Sequence, residues 1–283
     1  PDQKAFFGLY KELVETNTTL SVGSCTKAAE QIGARMKAAG YSDSAITLFS
    51  VPDHPREGGI VVILDGSDKK AKPMLLLGHL DVVEAKREDW VRDPFTLIEE
   101  DGYYYARGTV DDKAQAAIWA DSMIRFKTEG YQPKRTIKLA LTCGEETTYA
   151  WNGAQWLAQN KPDLIAAEFA LNEGGGGRYD ATGRRQVLAM QVGEKASQNY
   201  TFLVTNPGGH SSQPVPINAI YQLADAIKAV QGYEFPVKFT DTTRVFFIAS
   251  AAAVGGPMAT AITRLLTNPE DAEADAVVSR DKA

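Results

Sequence analysis

Cysteine and histidine are scarce in this chain: two cysteines, Cys25 and Cys143, and three histidines among 283 residues. Two cysteines cannot build a disulfide framework or a Cys-rich zinc module. Cys143, inside an apolar run, reads as a packed thiol. There is no block of Lys or Arg, and the formal net charge is −6, which argues against a nucleic-acid or anionic-membrane surface and leaves small-molecule or peptide chemistry. No uninterrupted apolar stretch is long enough to span a bilayer. Residue 1 is Pro, with no initiator Met and no signal-peptide core ahead of it. This leaves the compartment open between the cytoplasm and, if a leader was removed, the periplasm or the exterior. A hydrophobic content of 44% allows a large core, and a length of 283 residues points to one to two domains.

What the chain does have is an apolar run that ends in chemistry. Leu75-Leu76-Leu77 shows no polar alternation, as expected of a central strand covered on both faces. Gly78 is expected to mark the strand's stop, which puts His79 at its carboxyl end, the edge where ligands of open α/β sheets gather. Asp81, two residues on, is placed to accept the second ring N–H of His79 and so fix its tautomer.

Residues 4–15 and 26–39 carry apolar positions at helical spacing (Phe6, Leu9, Leu13; Ala28, Ile32, Met36). Strands are expected over Ile46–Val51, Gly59–Leu64 and Tyr103–Tyr105, with His54 solvated in a proline-flanked loop. Asp111-Asp112-Lys113 opens a helix over about 114–127, with Ile118, Met123 and Phe126 turned inward. One carboxylate at a helix start is a cap; a second is left free for another task. Arg135–Cys143 reads as a strand ending in Gly144-Glu145-Glu146, where extended backbone aims the two carboxylates at different partners. Ala166–Leu171 is a further strand, ending at Asn172-Glu173.

Beyond Gly177, strands over Gln186–Val192 and Asn199–Val204 and a helix over Ile217–Val230 follow a glycine-rich joint. They suggest a second domain, dividing the chain into 1–192 and 193–283. His210, in a Gly/Ser/Pro loop, reads from its surroundings as an exposed turn histidine. The tail from Pro269, rich in Asp, Glu and Ala, shows no core face. Three strands thus end in a potential ligand (His79, Glu145/Glu146, Glu173) and a helix start adds Asp111. Convergent N and O donors without clustered Cys favour a zinc-like ion, or two ions sharing a carboxylate. The competing reading makes each an ordinary strand-end polar residue.

Taken in order, Gly78-His79-Leu80-Asp81-Val82-Val83, Arg107-Gly108-Thr109-Val110-Asp111-Asp112-Lys113, Gly144-Glu145-Glu146, Asn172-Glu173-Gly174 and Gly208-Gly209-His210-Ser211-Ser212 resemble the M20 metallopeptidases. These are the aminoacylase/carboxypeptidase clan of co-catalytic zinc hydrolases. The Trp90 and Asp93-Pro94-Phe95 segment is most similar to the carboxypeptidase S-like and N-acyl-amino-acid hydrolase branch. The resemblance implies an α/β/α catalytic domain with a mixed sheet and an inserted α+β lid that mediates homodimerisation. It also implies two zinc ions, with cobalt or manganese as alternatives, and hydrolysis of amide bonds in peptides with a free C-terminus or in N-acyl amino acids.

Carried over by position, the resemblance makes His79 and Glu173 ligands of one metal, Glu146 a ligand of the other, and Asp111 the bridge, with a cis peptide between Asp111 and Asp112. Glu145 becomes the general base on the attacking water and Asp81 the orienting partner of His79. His210 would reach the oxyanion of a dimer partner's site, and Asn218 would help hold a substrate carboxylate. The family's last metal-ligand histidine has no counterpart among His54, His79 and His210, and the chain ends inside the expected lid, as a fragment would. The alternative is therefore a non-catalytic metal-binding or dimerising fragment. Ala114 and Asn172 also depart from the family's usual Gly and Asp.

Overall fold

The computed structural model describes residues 2–147, 151–193, 198–210, 212–213 and 215–280. By their contacts these divide into two compact units, Pro1–Gly174 and Gly175–Ala283.

The first unit opens with helices α1 (Asp2–Glu15) and α2 (Cys25–Ala38), the latter capped by Ser24, whose hydroxyl accepts the Lys27 N–H. Strands β1 (Ile46–Val51) and β2 (His54–Leu64) form a hairpin, so the expected second strand begins earlier, at His54. His54 is half-buried, stacked on Trp151 and 2.8 Å from Glu57 through Nδ1, not merely solvated. Strand β3 (Met74–His79) follows, then the small hairpin of β4 (Ile98–Glu100) and β5 (Tyr103–Tyr105). The unit closes with α3 (Lys113–Thr128), β6 (Ile137–Thr142), α4 (Gly153–Asn160), α5 (Pro162–Ile165) and β7 (Phe169–Leu171).

The main sheet has five strands in the order β1-β2-β6-β3-β7. It is mixed: β2 runs antiparallel to β1 and β6, while β3 runs parallel to both β6 and β7. Strand alternation sends Ile60, Val62, Leu76, Leu139 and Leu141 to one face, where Leu9, Leu13, Ile32, Met36 and Met123 of α1, α2 and α3 cover them. Val61, Leu75 and Ala140 point the other way, against Leu157 of α4, Trp156 and Ile165. The unit is thus the expected α/β/α sandwich, and β3 is the central strand covered on both faces. Each fully buried aliphatic side chain contributes about 1.5–3 kcal/mol.

Two details of α3 and β6 follow from packing. Ile118 is exposed, not inward; the buried face of α3 is carried by Ala116, Ala117, Ala120 and Met123. Lys138 lies inside the otherwise apolar β6, yet it is satisfied: its ammonium donates to the carbonyls of Asp163 (2.6 Å) and Ala166 (2.9 Å) at α5.

The second unit contains the hairpin of β8 (Gly176–Tyr179) and β9 (Arg185–Ala189), then helices α6 (Ala219–Gln231), α7 (Asp241–Val254), α8 (Gly256–Thr267) and α9 (Ala272–Val278). A boundary near Gly193 marks the change in sequence periodicity, whereas the compact unit takes in this hairpin as well. Asn199–Val204 forms no strand: it has the alternation of one, but no partner strand pairs with it among the described residues. The tail is also more ordered than its composition suggests. Arg264 makes a two-bonded pair with Asp271 at 2.7 and 2.8 Å, and Ala274 of α9 packs with Ala261 and Leu265 of α8.

Candidate metal centre

Because β3 lies between β6 and β7 and runs parallel to both, the carboxyl ends of three adjacent strands open onto one edge. His79 ends β3, opposite Thr142 of β6. The loop after β6 carries Glu145 and Glu146, the loop after β7 carries Glu173, and the turn into α3 brings Asp111 and Asp112, joined by a cis peptide as expected. Gly78 does not stop the strand, which continues to His79. Its role is close approach: a Cβ there would lie 2.9 Å from Asp112 Oδ2 and 3.3 Å from Leu141 Cδ2. The Asp112 carboxylate fills that space and accepts the backbone N–H of His79 at 3.1 Å.

The His79 ring is buried, 3% exposed. Its Nδ1 lies 3.0 Å from the Asp81 backbone carbonyl and 3.5 Å from Asp81 Oδ1, so the hydrogen bond that orients the ring goes to the main chain, with the carboxylate just beyond. The other carboxylate oxygen, Asp81 Oδ2, accepts the backbone N–H of Glu146 at 2.9 Å and ties the end of β3 to the loop after β6. The opposite ring nitrogen faces a ring of carboxylates: Nε2 is 3.0 Å from Asp111 Oδ1, 3.6 Å from Glu173 Oε2 and 3.8 Å from Glu145 Oε2. Atoms of His79, Asp112 and Glu173 also lie within 4.8 Å of one another. Beneath the cluster, Lys113 is fully buried, donates to the Thr16 carbonyl at 2.7 Å, and is pushed down by burial to about 7, with Asp81 opposing.

So many acids at one edge cannot all ionise comfortably. Burial raises Asp112 to about 6, with Glu173 and Asp111 adding to it against the pull of His79. Glu145 and Glu146 are likewise raised, by burial first; Glu173, Asp81 and Asp111 add at Glu145, and Asp111, Glu145 and Asp81 at Glu146. For His79, burial works to lower the pKa, but the nearby negative charge of Asp81, with Asp112 and Glu173, raises it to about 10. A proton on His79 thus serves as the cation for the cluster. One buried imidazole nitrogen and several convergent carboxylate oxygens, short of positive charge, are the donor set a divalent cation fits.

A metal bound through His79 would displace its proton, so apparent affinity is expected to rise with pH through the neutral range. Below about 10, where His79 titrates, that single proton is worth about tenfold per pH unit. Calorimetric titration of zinc in buffers of different ionisation enthalpy reads the proton release directly, and zero release would contradict this site.

His79, Asp111, Glu145 and Glu173 are gathered as the sequence suggests, and Glu146 is coupled to them through Asp111. Asp112 is the addition: the adjacent pair Asp111-Asp112 was its signal, but only folding shows that the second acid braces the His79 backbone. His210 and Asn218 belong to the second unit. There, His210 is exposed with Nδ1 2.7 Å from Ser212 Oγ, and Asn218 caps α6 by accepting the Ile220 N–H at 2.8 Å. Cys143 is not a free thiol: it is disulfide-bonded to Cys25 at the start of α2.

The family described as peptidase family M20/M25/M40 matches residues 75–271. Among curated proteins, the chain is 31% identical over 194 residues to the N-fatty-acyl-amino acid synthase/hydrolase PM20D1 of Homo sapiens, covering 67% of this chain and 38% of that protein. It is 30% identical over 188 residues to the probable carboxypeptidase S-like 2 of Dictyostelium discoideum, covering 64% and 36%. Among solved structures, the M20 family metallo-carboxypeptidase Sso-CP2 of Sulfolobus solfataricus superposes with a TM-score of 0.51 at 21% identity, over 63% of this chain and 39% of that one. The chain therefore spans less than two-fifths of the length of each of these proteins.

Proposed function

The chain belongs to peptidase family M20/M25/M40, and we propose that it supplies the metal-binding, water-activating part of a hydrolase that cleaves amide bonds in peptides with a free C-terminus or in N-acyl amino acids. The observation that carries this reading is the juxtaposition of a buried His79 with the carboxylates of Asp111, Glu173 and Glu145 at one sheet edge. His79, Asp111 and Glu173, with Glu146 alongside, would hold zinc, or cobalt or manganese in its place. The metal, when bound, supplies Lewis-acid polarisation of the carbonyl and a lower pKa for the attacking water.

The remaining work falls to this chain's own groups. Glu145 is about half exposed, and its raised pKa suits it to take a proton from the attacking water and return it to the leaving amine. The Asp81 backbone carbonyl holds the His79 ring at Nδ1, and the Asp112 carboxylate accepts the His79 backbone N–H. His210 and Asn218 are proposed to act on the developing oxyanion and on the substrate carboxylate, and a homodimer through the second unit would bring His210 to a partner's site. Exposed apolar residues on α6 (Ile220, Tyr221, Ile227) support such pairing. The Cys25–Cys143 disulfide supports an oxidising compartment, periplasm or exterior, over the cytoplasm.

A second reading, a metal-binding or dimerising unit without turnover, is favoured by one fact: among the described residues of the first unit, His79 is the single histidine at this edge, since His54 is engaged with Glu57 and Trp151. Elemental analysis of metal per chain, beside hydrolysis of an N-acyl amino acid and a dipeptide panel, separates the two. Bound metal with turnover is the expected result for the hydrolase. Bound metal without turnover would transfer the case to the second reading.

A further inference from the structure

Next to Asp81 lies a small cavity lined by, among others, Thr18, Cys25, Glu57, Asp81, Cys143 and Thr147, with about 10 Å³ available to the centre of a water-sized sphere. Four oxygens of these residues are buried without a hydrogen-bond partner among the described residues: Glu57 Oε2, Thr18 Oγ1, Thr147 Oγ1 and Asp81 Oδ1, the last with His79 Nδ1 beyond hydrogen-bond reach at 3.5 Å. Asp81 and Thr18 are 2% and 1% exposed. Native interiors seldom strand even one such group, and four on the wall of one cavity point to a ligand within it.

We propose that this cavity is a built site for a single internal water that fixes Asp81, and through it the placement of His79 and of the Glu146 backbone. The chemistry matches one water and little else. Its two hydrogens go to the carboxylate oxygens of Asp81 and Glu57, and its two lone pairs accept from the hydroxyls of Thr18 and Thr147, which satisfies all four groups at once. The space is that of one water. Four oxygens fall short of the six to eight that calcium takes. Positive charge is already on the wall: Arg56 lines the cavity and donates to the carbonyls of Gly23 (3.2 Å) and Ser21 (3.3 Å). The disulfide of Cys25 and Cys143 adds an apolar side that offers the water no competing partner.

The consequence concerns positioning. Asp81 Oδ2 is held by the Glu146 N–H at 2.9 Å and the Asp81 carbonyl holds His79 Nδ1 at 3.0 Å. With Oδ1 anchored by the water, Asp81 is fixed at three points, and Thr18 and Thr147 become positioning residues without touching the cluster.

A crystal structure of the protein at high resolution is the first test. The expected result is one peak about 2.6–3.1 Å from the four oxygens. An empty cavity would overturn the proposal, and so would a peak with ligand distances of about 2.0–2.5 Å, the mark of a cation. Thr18→Ser should keep the peak and Thr18→Val should lose it; persistence in the Val variant would refute the assigned bonding. Zinc affinity, a part of the test that rests on the metal reading above, should fall about 3–10-fold in Thr18→Val and by less than about twofold in Thr18→Ser. Equal affinities would overturn the positioning role. If no zinc binds at all, the hydrolase reading fails while the density still decides the water.

Discussion

Replacing Glu145 by Gln is expected to lower kcat/KM for amide hydrolysis by about 10²–10⁴-fold, the usual contribution of a positioned general base, while leaving metal content unchanged. Gln keeps the shape and the polar contacts of Glu but cannot carry a proton between water and amine. Asp111 is 3.0 Å from His79 Nε2, Glu173 3.6 Å and Glu145 3.8 Å. Removing one negative charge from a group of mutually repelling acids should also lower the pKa of Glu146, which Glu145 helps to raise. Zinc titration and turnover measured on the same preparation check the prediction. Turnover within about threefold of the parent would remove Glu145 from the chemistry, and loss of zinc together with turnover would make it a ligand instead.

The second large effect concerns stability. Cys25 and Cys143 are 118 residues apart in sequence, with their Cα atoms 6.0 Å apart. In the chain-entropy view, a crosslink closing a loop of that length stabilises by about 4–5 kcal/mol, and removal of native disulfides from small secreted domains commonly costs about 2–5 kcal/mol. The double substitution Cys25→Ser and Cys143→Ser should therefore lower the unfolding free energy by about 2–5 kcal/mol, and the urea midpoint by that change divided by the m-value. The parent protein treated with a reductant should follow the same curve. Coincident curves for oxidised parent, reduced parent and double variant would mean that the crosslink adds nothing.

Much of this arrangement is legible in the sequence because it is local. An unbroken apolar run identifies β3 and fixes His79 at its end; the polar residues that follow β6 and β7 need only the parallel order of those strands to become neighbours. What could not be read was non-local or geometric. Cys143 looks like any packed thiol until β6 is laid beside the start of α2. Asp112 and Asp111 are equivalent as letters, and only the missing Cβ of Gly78 makes room for one of them against the His79 backbone. Ile118 has helical spacing, yet the face of α3 that packs inward is the one carrying Ala116, Ala117, Ala120 and Met123. Asn199–Val204 alternates like a strand, yet a strand is a pairing, and alternation does not supply the partner.

The order β6-β3-β7 also says when the site can exist. Its groups come from positions 79, 111–112, 145–146 and 173, and they meet only after two parallel pairings of distant segments have formed. Parallel pairings are among the slower events of folding, because the loops they close are long. No early, partly folded chain can therefore offer a metal ion this set of ligands. An ion that binds here arrives at a finished sheet, and by holding the ends of three strands together it delays unfolding while leaving the speed of folding to the chain itself.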